Sequence, residues 1–140
     1  MATLRRKSRE FALQMLFEWD LARQQPAQIE HNFWKTARAQ ESTRKFAEQL
    51  FEGAVGHCEA SDTLIETLSE NWRIERLAVV DRNILRLAIF ELYSGSAPAR
   101  VVLDEAIELA KKFSSAESPA FLNGILDAAM KAAPQAVPKD

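Results

Sequence analysis

Apolar residues recur three and four positions apart along most of the chain, the spacing of one buried helical face. Leu4, Phe11, Ala12, Met15, Leu16, Trp19 and Ala22 predict a first helix from about Leu4 to Gln24, with Thr3 as N-cap and Gln25-Pro26 as its end. A short helix follows over 27–36, carrying Ile29, Phe33 and Trp34. Ser42 then caps a long helix to about Glu70, with Phe46, Leu50, Ala54, Cys58, Leu64 or Ile65, and Leu68 in its apolar stripe. Gly53 and Gly56 interrupt that stripe, each at a propensity cost of about 1 kcal/mol, which predicts close helix contact there.

Asn71-Trp72-Arg73-Ile74 reads as a hinge between two halves, about 1–71 and 72–133, ahead of a tail over 134–140. A helix over 77–93 bears Val80, Ile84, Leu87, Ala88 and Leu92; Gly95 supplies its left-handed stop and Pro98 enforces the break. The next helix, 100–113, turns Val102, Ala106, Leu109, Ala110 and Phe113 inward. After a polar loop at 114–118, Pro119 opens a last helix with Phe121, Leu122, Ile125, Leu126 and Ala129 on its apolar face. The pattern predicts an all-α bundle of two halves, each of about three helices, with antiparallel neighbours joined by short connections.

Composition supports this. Leu, Ile, Val and Phe make up about a quarter of the 140 residues, enough for a core, and Gly and Pro total about half their usual share. The single cysteine, Cys58, excludes an internal disulfide and suits a reducing cytosol. No uncharged apolar run approaches the roughly 18 residues of a membrane span, and the basic start lacks the apolar stretch of a signal peptide. A soluble, cytoplasmic, single-domain protein is expected.

The net charge of −2 predicts no polyanion partner for the chain as a whole. Its distribution says more, because Arg5, Arg6, Lys7 and Arg9 place four cations in five residues, either a local anion site or a solvated end. Arg9, Leu13 and Phe17 share a helix stripe, and cations beside an exposed ring suit single-stranded nucleic acid: charges hold phosphates while the ring offers a stacking surface. The alternative is that Phe17 belongs to the core. Arg82 and Arg86 add a cationic pair at i, i+4 that could equally bridge to acids nearby.

Catalytic templates find little. His31 and His57 are far apart in sequence, and with one cysteine no zinc set of the usual spacing exists. His57-Cys58 point about 100° apart on a helix, so packing is their expected role. The glycines at 53, 56, 95 and 124 form no phosphate loop, and acid pairs such as Glu48/Glu52 read as solvated faces. The chain is not expected to be an enzyme, and no cofactor or metal is implied.

Three ordered segments carry a resemblance. Arg5-Arg6-Lys7-Ser8-Arg9-Glu10 with Ala12, Gln14, Leu16 and Phe17, then Val80 to Leu92, then Asp104 to Lys111 with Phe121-Leu122-Asn123-Gly124-Ile125-Leu126-Asp127, closely resemble the NusB family of bacterial transcription antitermination factors. The resemblance implies a seven-helix bundle in two subdomains of three to four helices. It implies binding of the boxA element of nascent ribosomal RNA transcripts together with NusE, a small-subunit ribosomal protein, and indirect partnership with NusA, NusG and RNA polymerase. Family RNA contacts map onto Arg5, Arg6, Lys7, Arg9, Phe17, Arg82, Arg86, Glu117 and Phe121. An acidic face of Glu75, Asp81, Glu91 and Glu105 would suit the basic ribosomal protein. Asn123-Gly124 is expected to fix the last helix closely against its neighbours.

The sequence departs from the family pattern in having Phe17 where Tyr is frequent, Asp104 for a usual Asn, and Pro119-Ala120 where a basic or polar residue often stands. A competing reading is a helical protein-binding adaptor or homodimer without specific RNA binding. A module of an RNA cytosine methyltransferase would need a catalytic domain for which 140 residues leave no room.

Overall fold

A computed structural model describes residues 2–69 and 73–136. Seven helices follow in order: α1 (Ala2–Ala22), α2 (Pro26–Phe33), α3 (Glu41–Gly56), α4 (Cys58–Leu68), α5 (Val79–Ser94), α6 (Ala99–Phe113) and α7 (Ser118–Ala136), with a single tight turn at Ile74–Arg76 before α5. Asn71 and Trp72 of the expected hinge lie outside the described residues, as do residues 137–140 of the tail.

The helix expected over 42–70 is two helices. Its backbone leaves α-geometry at His57 (φ −100°, ψ 10°), and the chain changes neighbours there: both pieces pack on α5, but α3 also packs on α1 and α4 on α7. No proline marks the break, and the apolar stripe continues through it because both pieces bury the same side. Helix α3 also starts one residue before Ser42, which is therefore inside it, and Thr3 lies inside α1 rather than capping it.

Helix α5 is the hub, packing on α1, α3, α4, α6 and α7. Its residues from Asn83 to Ile89 are buried without interruption, the signature of a helix enclosed on all sides. Around it Met15, Leu16, Leu50, Phe51, Ile65, Leu103, Leu122 and Leu126 are all but inaccessible, each worth about 1.5–3 kcal/mol of burial. Gly53 lets α3 meet α5: a Cβ there would stand 2.0 Å from Cζ of Phe90. Gly95 ends α5 at φ +71°, as its position predicts. Gly56 and Gly124 differ from expectation, since a Cβ at either would meet nothing within 4 Å. Gly56 closes α3, and Gly124 faces solvent on α7.

Candidate nucleic-acid interface

Helix α1 distributes the four basic residues to different places. Arg5 lies over the Phe46 ring of α3, 3.9 Å from its centroid. Arg6 turns the other way and grips Glu105 of α6 with two hydrogen bonds of 2.9 and 2.8 Å. Those bonds hold the Glu105 carboxyl below its ordinary range, against the upward push of burial. Lys7 rests over Phe11, with Glu10 3.6 Å away.

Arg9 does not reach the surface. It shares its stripe with Ala12, Leu13 and Leu16 and is 4% exposed, its guanidinium bonded at 2.7 and 2.8 Å to an equally buried Glu91. Burial pushes the guanidinium down, and Glu91 outweighs it and keeps the charge. Expected as a phosphate contact, Arg9 is a structural cation, because a buried charge needs its partner close.

A second interior network corrects Arg86 in the same way. Asp20 of α1 accepts from Arg82 (2.7 Å), Asn83 (3.0 Å) and Arg86 (3.0 Å), while Arg86 also bonds both oxygens of Asp62 on α4 at 2.8 and 2.9 Å. Burial raises the Asp20 carboxyl, but the bonds from Arg82 and Asn83 and the nearby Arg86 charge bring it below its usual value. Arg82 keeps a partly open edge beside the carbonyl of Ile74. Cys58 points its thiol at Asp62, and burial above all pushes that thiol up. His57 stacks on Tyr93 at 4.3 Å, apart from the thiol chemistry.

The expected acidic face is not assembled. Glu91 and Glu105 are held by Arg9 and Arg6, and buried Asp81 accepts from the hydroxyls of Ser114 and Ser118. Of the four acids only Glu75 is exposed, 3.6 Å from Arg73. A carboxylate on the inner side of a helix recruits a donor from its own chain.

What the structure does bring together lies along the α1–α6 side. Arg6, Glu10, Leu13 and Phe17 follow one another at i, i+4, i+7 and i+11, so the ring of Phe17, 37% exposed, continues the stripe that meets α6. An open hollow of about 400 Å³ there is lined by Arg6, Glu10, Glu105, Glu108, Lys111 and Lys112. Lys112 bridges to Glu10 at 3.0 Å and Lys111 to Glu108 at 3.5 Å. Further along, past the level of Phe17, Asp20 ties α1 to Arg82, next to Asp81 and its serine clasp. A second hollow of about 300 Å³ opens at that clasp, lined by Arg76, Asp81, Ser115, Glu117, Ser118 and half-buried Phe121. Asp81, Glu117 and Phe121 thus line one hollow, whereas the sequence suggested a separate acidic face for Asp81.

Arg76, Lys111 and Lys112 were not singled out by the sequence. Adjacent lysines in the last turn of α6 read as complements to the helix dipole, and nothing in the spacing announces that α6 lays them beside Arg6. Among the described residues no group of three His, Cys, Asp or Glu could hold a metal ion, and no helix is long and apolar enough to cross a membrane.

Known proteins share this fold and much of this sequence. The NusB family profile matches residues 6–131. The transcription antitermination protein NusB of Solibacter usitatus is 46% identical over 134 residues, covering 94% of this chain and 91% of that protein. Its counterpart in Koribacter versatilis is 48% identical over 125 residues, covering 88% and 86%. Among solved structures, NusB of T. maritima superposes with a TM-score of 0.83 at 34% identity, covering 94% of each chain. A chain from a crystal structure of antitermination factors NusB and NusE in complex with dsRNA superposes with a TM-score of 0.84 at 31% identity, over 94% of this chain and 99% of that one. By sequence over nearly its whole length and by fold, the chain belongs to the NusB family.

Proposed function

We propose that this protein is a transcription antitermination factor that binds the boxA element of nascent ribosomal RNA transcripts together with NusE. In this reading the complex joins NusA, NusG and RNA polymerase in the cytoplasm, and the protein acts without catalysis. The observation that carries it is the convergence of Arg6, Lys7, Lys111 and Lys112 with the exposed ring of Phe17 and the hollow at Phe121 along one side of the bundle. The cations engage phosphates, Phe17 stacks on one base, and Phe121 with Arg76 borders a space for another. In this reading Glu117 accepts from base N–H groups, while Asp81 holds the wall of that hollow through its serine clasp and Arg82 anchors the neighbouring turn to Asp20. Arg9 and Arg86 serve from inside, by fixing α1 and α5.

Arg6, Lys7 and Lys112 carry internal carboxylate partners, so each phosphate contact exchanges one ion pair for another. Modest affinity for the protein alone follows from that exchange, and in this reading NusE raises it. The test is fluorescence anisotropy with a short boxA RNA and a scrambled control, with and without NusE, at two salt concentrations. The expected result is preference for boxA that tightens with NusE, with a salt slope near −2 for about three phosphates met by the protein alone. Equal, weak binding of both RNAs, unchanged by NusE, would overturn the reading and favour a protein-binding adaptor or homodimer.

A further inference from the structure

Among the described lysines and arginines, those with no carboxylate partner within 4.0 Å are Arg5, Lys35, Arg38, Arg44, Lys45 and Arg76. All but Arg76 belong to the start of α1 or to the stretch 35–45 that leads into α3, where Glu41 is the one acid among four cations. The least neutralised positive charge of the molecule is therefore not on the α1–α6 side.

Local packing gathers it. The Ser8 hydroxyl donates to the carbonyl of Thr43 at 2.9 Å, fastening the start of α3 to α1. Arg5 lies over Phe46. Arg44 lies over Trp34, 4.9 Å from the ring, and the indole N–H of Trp34 donates to one oxygen of Glu48, whose carboxylate lies more than 4.0 Å from the cationic nitrogens of Arg44 and Lys45. Arg44 and Lys45 line an open hollow of about 560 Å³ with Ala39, Glu41 and Glu48. A guanidinium lies over one face of each of the half-buried rings of Phe46 and Trp34, so charge rather than stacking dominates there. Such a face suits phosphates in any sequence.

Arg5 and Arg6 are neighbours that point to opposite sides, one to α3 and the other to α6. The start of α1 is thus the ridge where the two basic faces meet. We propose that Arg5, Arg38, Arg44 and Lys45 form a second surface that holds the phosphate backbone of single-stranded RNA flanking the segment bound at Phe17 and Phe121. This rests on the function proposed above and extends its footprint over the ridge.

The experiment compares a short boxA RNA with the same RNA lengthened by ~6 uridines at the 5′ or the 3′ end, within the usual span of single-strand sites. It also includes an oligouridine of the full length, and each is titrated against the wild type and the Arg44→Gln/Lys45→Gln double variant. Both side chains are exposed, and circular dichroism and thermal melting confirm that the variant is folded. One extension should bind more tightly than the short RNA, and the double variant should lose that gain while binding the short RNA as before. Two phosphate contacts make the gain shrink about sevenfold between 50 and 200 mM salt. A gain that persists in the variant, or no gain from either extension, overturns the proposal and leaves an acidic protein as the occupant of this face. If boxA is not preferred over its scramble, yet oligouridine binding falls in the double variant, the second surface stands and the boxA reading fails.

Discussion

Two sets of ion pairs join α1 to the helices around it, and they use the same chemistry for opposite ends. In the interior, Arg9–Glu91 and Arg86–Asp20–Asp62 have guanidinium groups only 5% and 3% exposed. On the rim, the cations of Arg6–Glu105 and Lys112–Glu10 are 48% and 56% exposed. Inside, the guanidinium groups are shut off from competitors even where Asp62 keeps an open edge, so the charge is fixed structure. At the rim, water and a phosphate can both compete, so the same kind of bond is an exchangeable cover. The number of cations in a segment therefore says little about how many are available; burial decides.

The largest effect should come from breaking the interior set. Arg86→Met leaves Asp62 without its guanidinium and Asp20 with one cation fewer, and urea denaturation should show a loss of about 3–5 kcal/mol. Arg9→Met should cost a similar amount. Adding Glu91→Leu to it should recover most of the loss, since removing both charges is far cheaper than orphaning one. A double variant no better than the single would show that the contrast between interior and rim is drawn wrongly.

A smaller effect isolates carboxylates that lack a cation. Glu30 has a buried oxygen without a hydrogen-bond partner, and burial, then its contact with Glu52 and the charges of Glu52 and Glu48, push its carboxyl up to about 8. A raised folded pKa means that the unfolded chain releases its proton first. Glu30 therefore costs nothing below the unfolded value, and its cost grows from there up to about pH 8. Glu30→Gln should stabilise the protein by about 1 kcal/mol at pH 7, discounted for its partial exposure, and by nothing at pH 4. Thermal melting across that range reads the difference.

The smallest stability change belongs to the rim. Glu105→Gln should leave the melting temperature nearly unmoved and release Arg6, so that RNA affinity rises. The low Glu105 pKa gives this acid's contribution above the ordinary carboxylate range, lost as pH falls through the lowered value. The RNA gain of the variant should therefore be present at pH 7 and fade in strong acid. A large loss of stability in Glu105→Gln would erase the distinction between the two sets.

Helix faces were legible in the sequence because core residues repeat with the helical period, and the stop at Gly95 because only a left-handed residue fits there. The break at His57 was hidden, since two helices burying one side preserve a single stripe. The buried arginines were misjudged by charge, although position held a clue: Arg9 falls in register with Ala12, Leu13 and Leu16, and Arg86 stands within an apolar run that covers every side of its helix. Phe17, Glu117 and Phe121 could be named as candidates from the sequence, whereas Arg76, Lys111 and Lys112 come to the proposed site only through the packing of α6 and the turn before α5.

Asp20 accepts from three donors of α5, the adjacent Arg82 and Asn83 and, one turn on, Arg86, and Phe17 lies three residues before it on α1. A slide of α1 by even one residue would leave that carboxylate without its matched donors, so the helix has one permitted register. The backbone that carries Phe17 is consequently fixed at one level of the bundle. For the proposed RNA contact, no backbone ordering of α1 is left to be done on binding, and that part of the entropic penalty falls on the RNA strand.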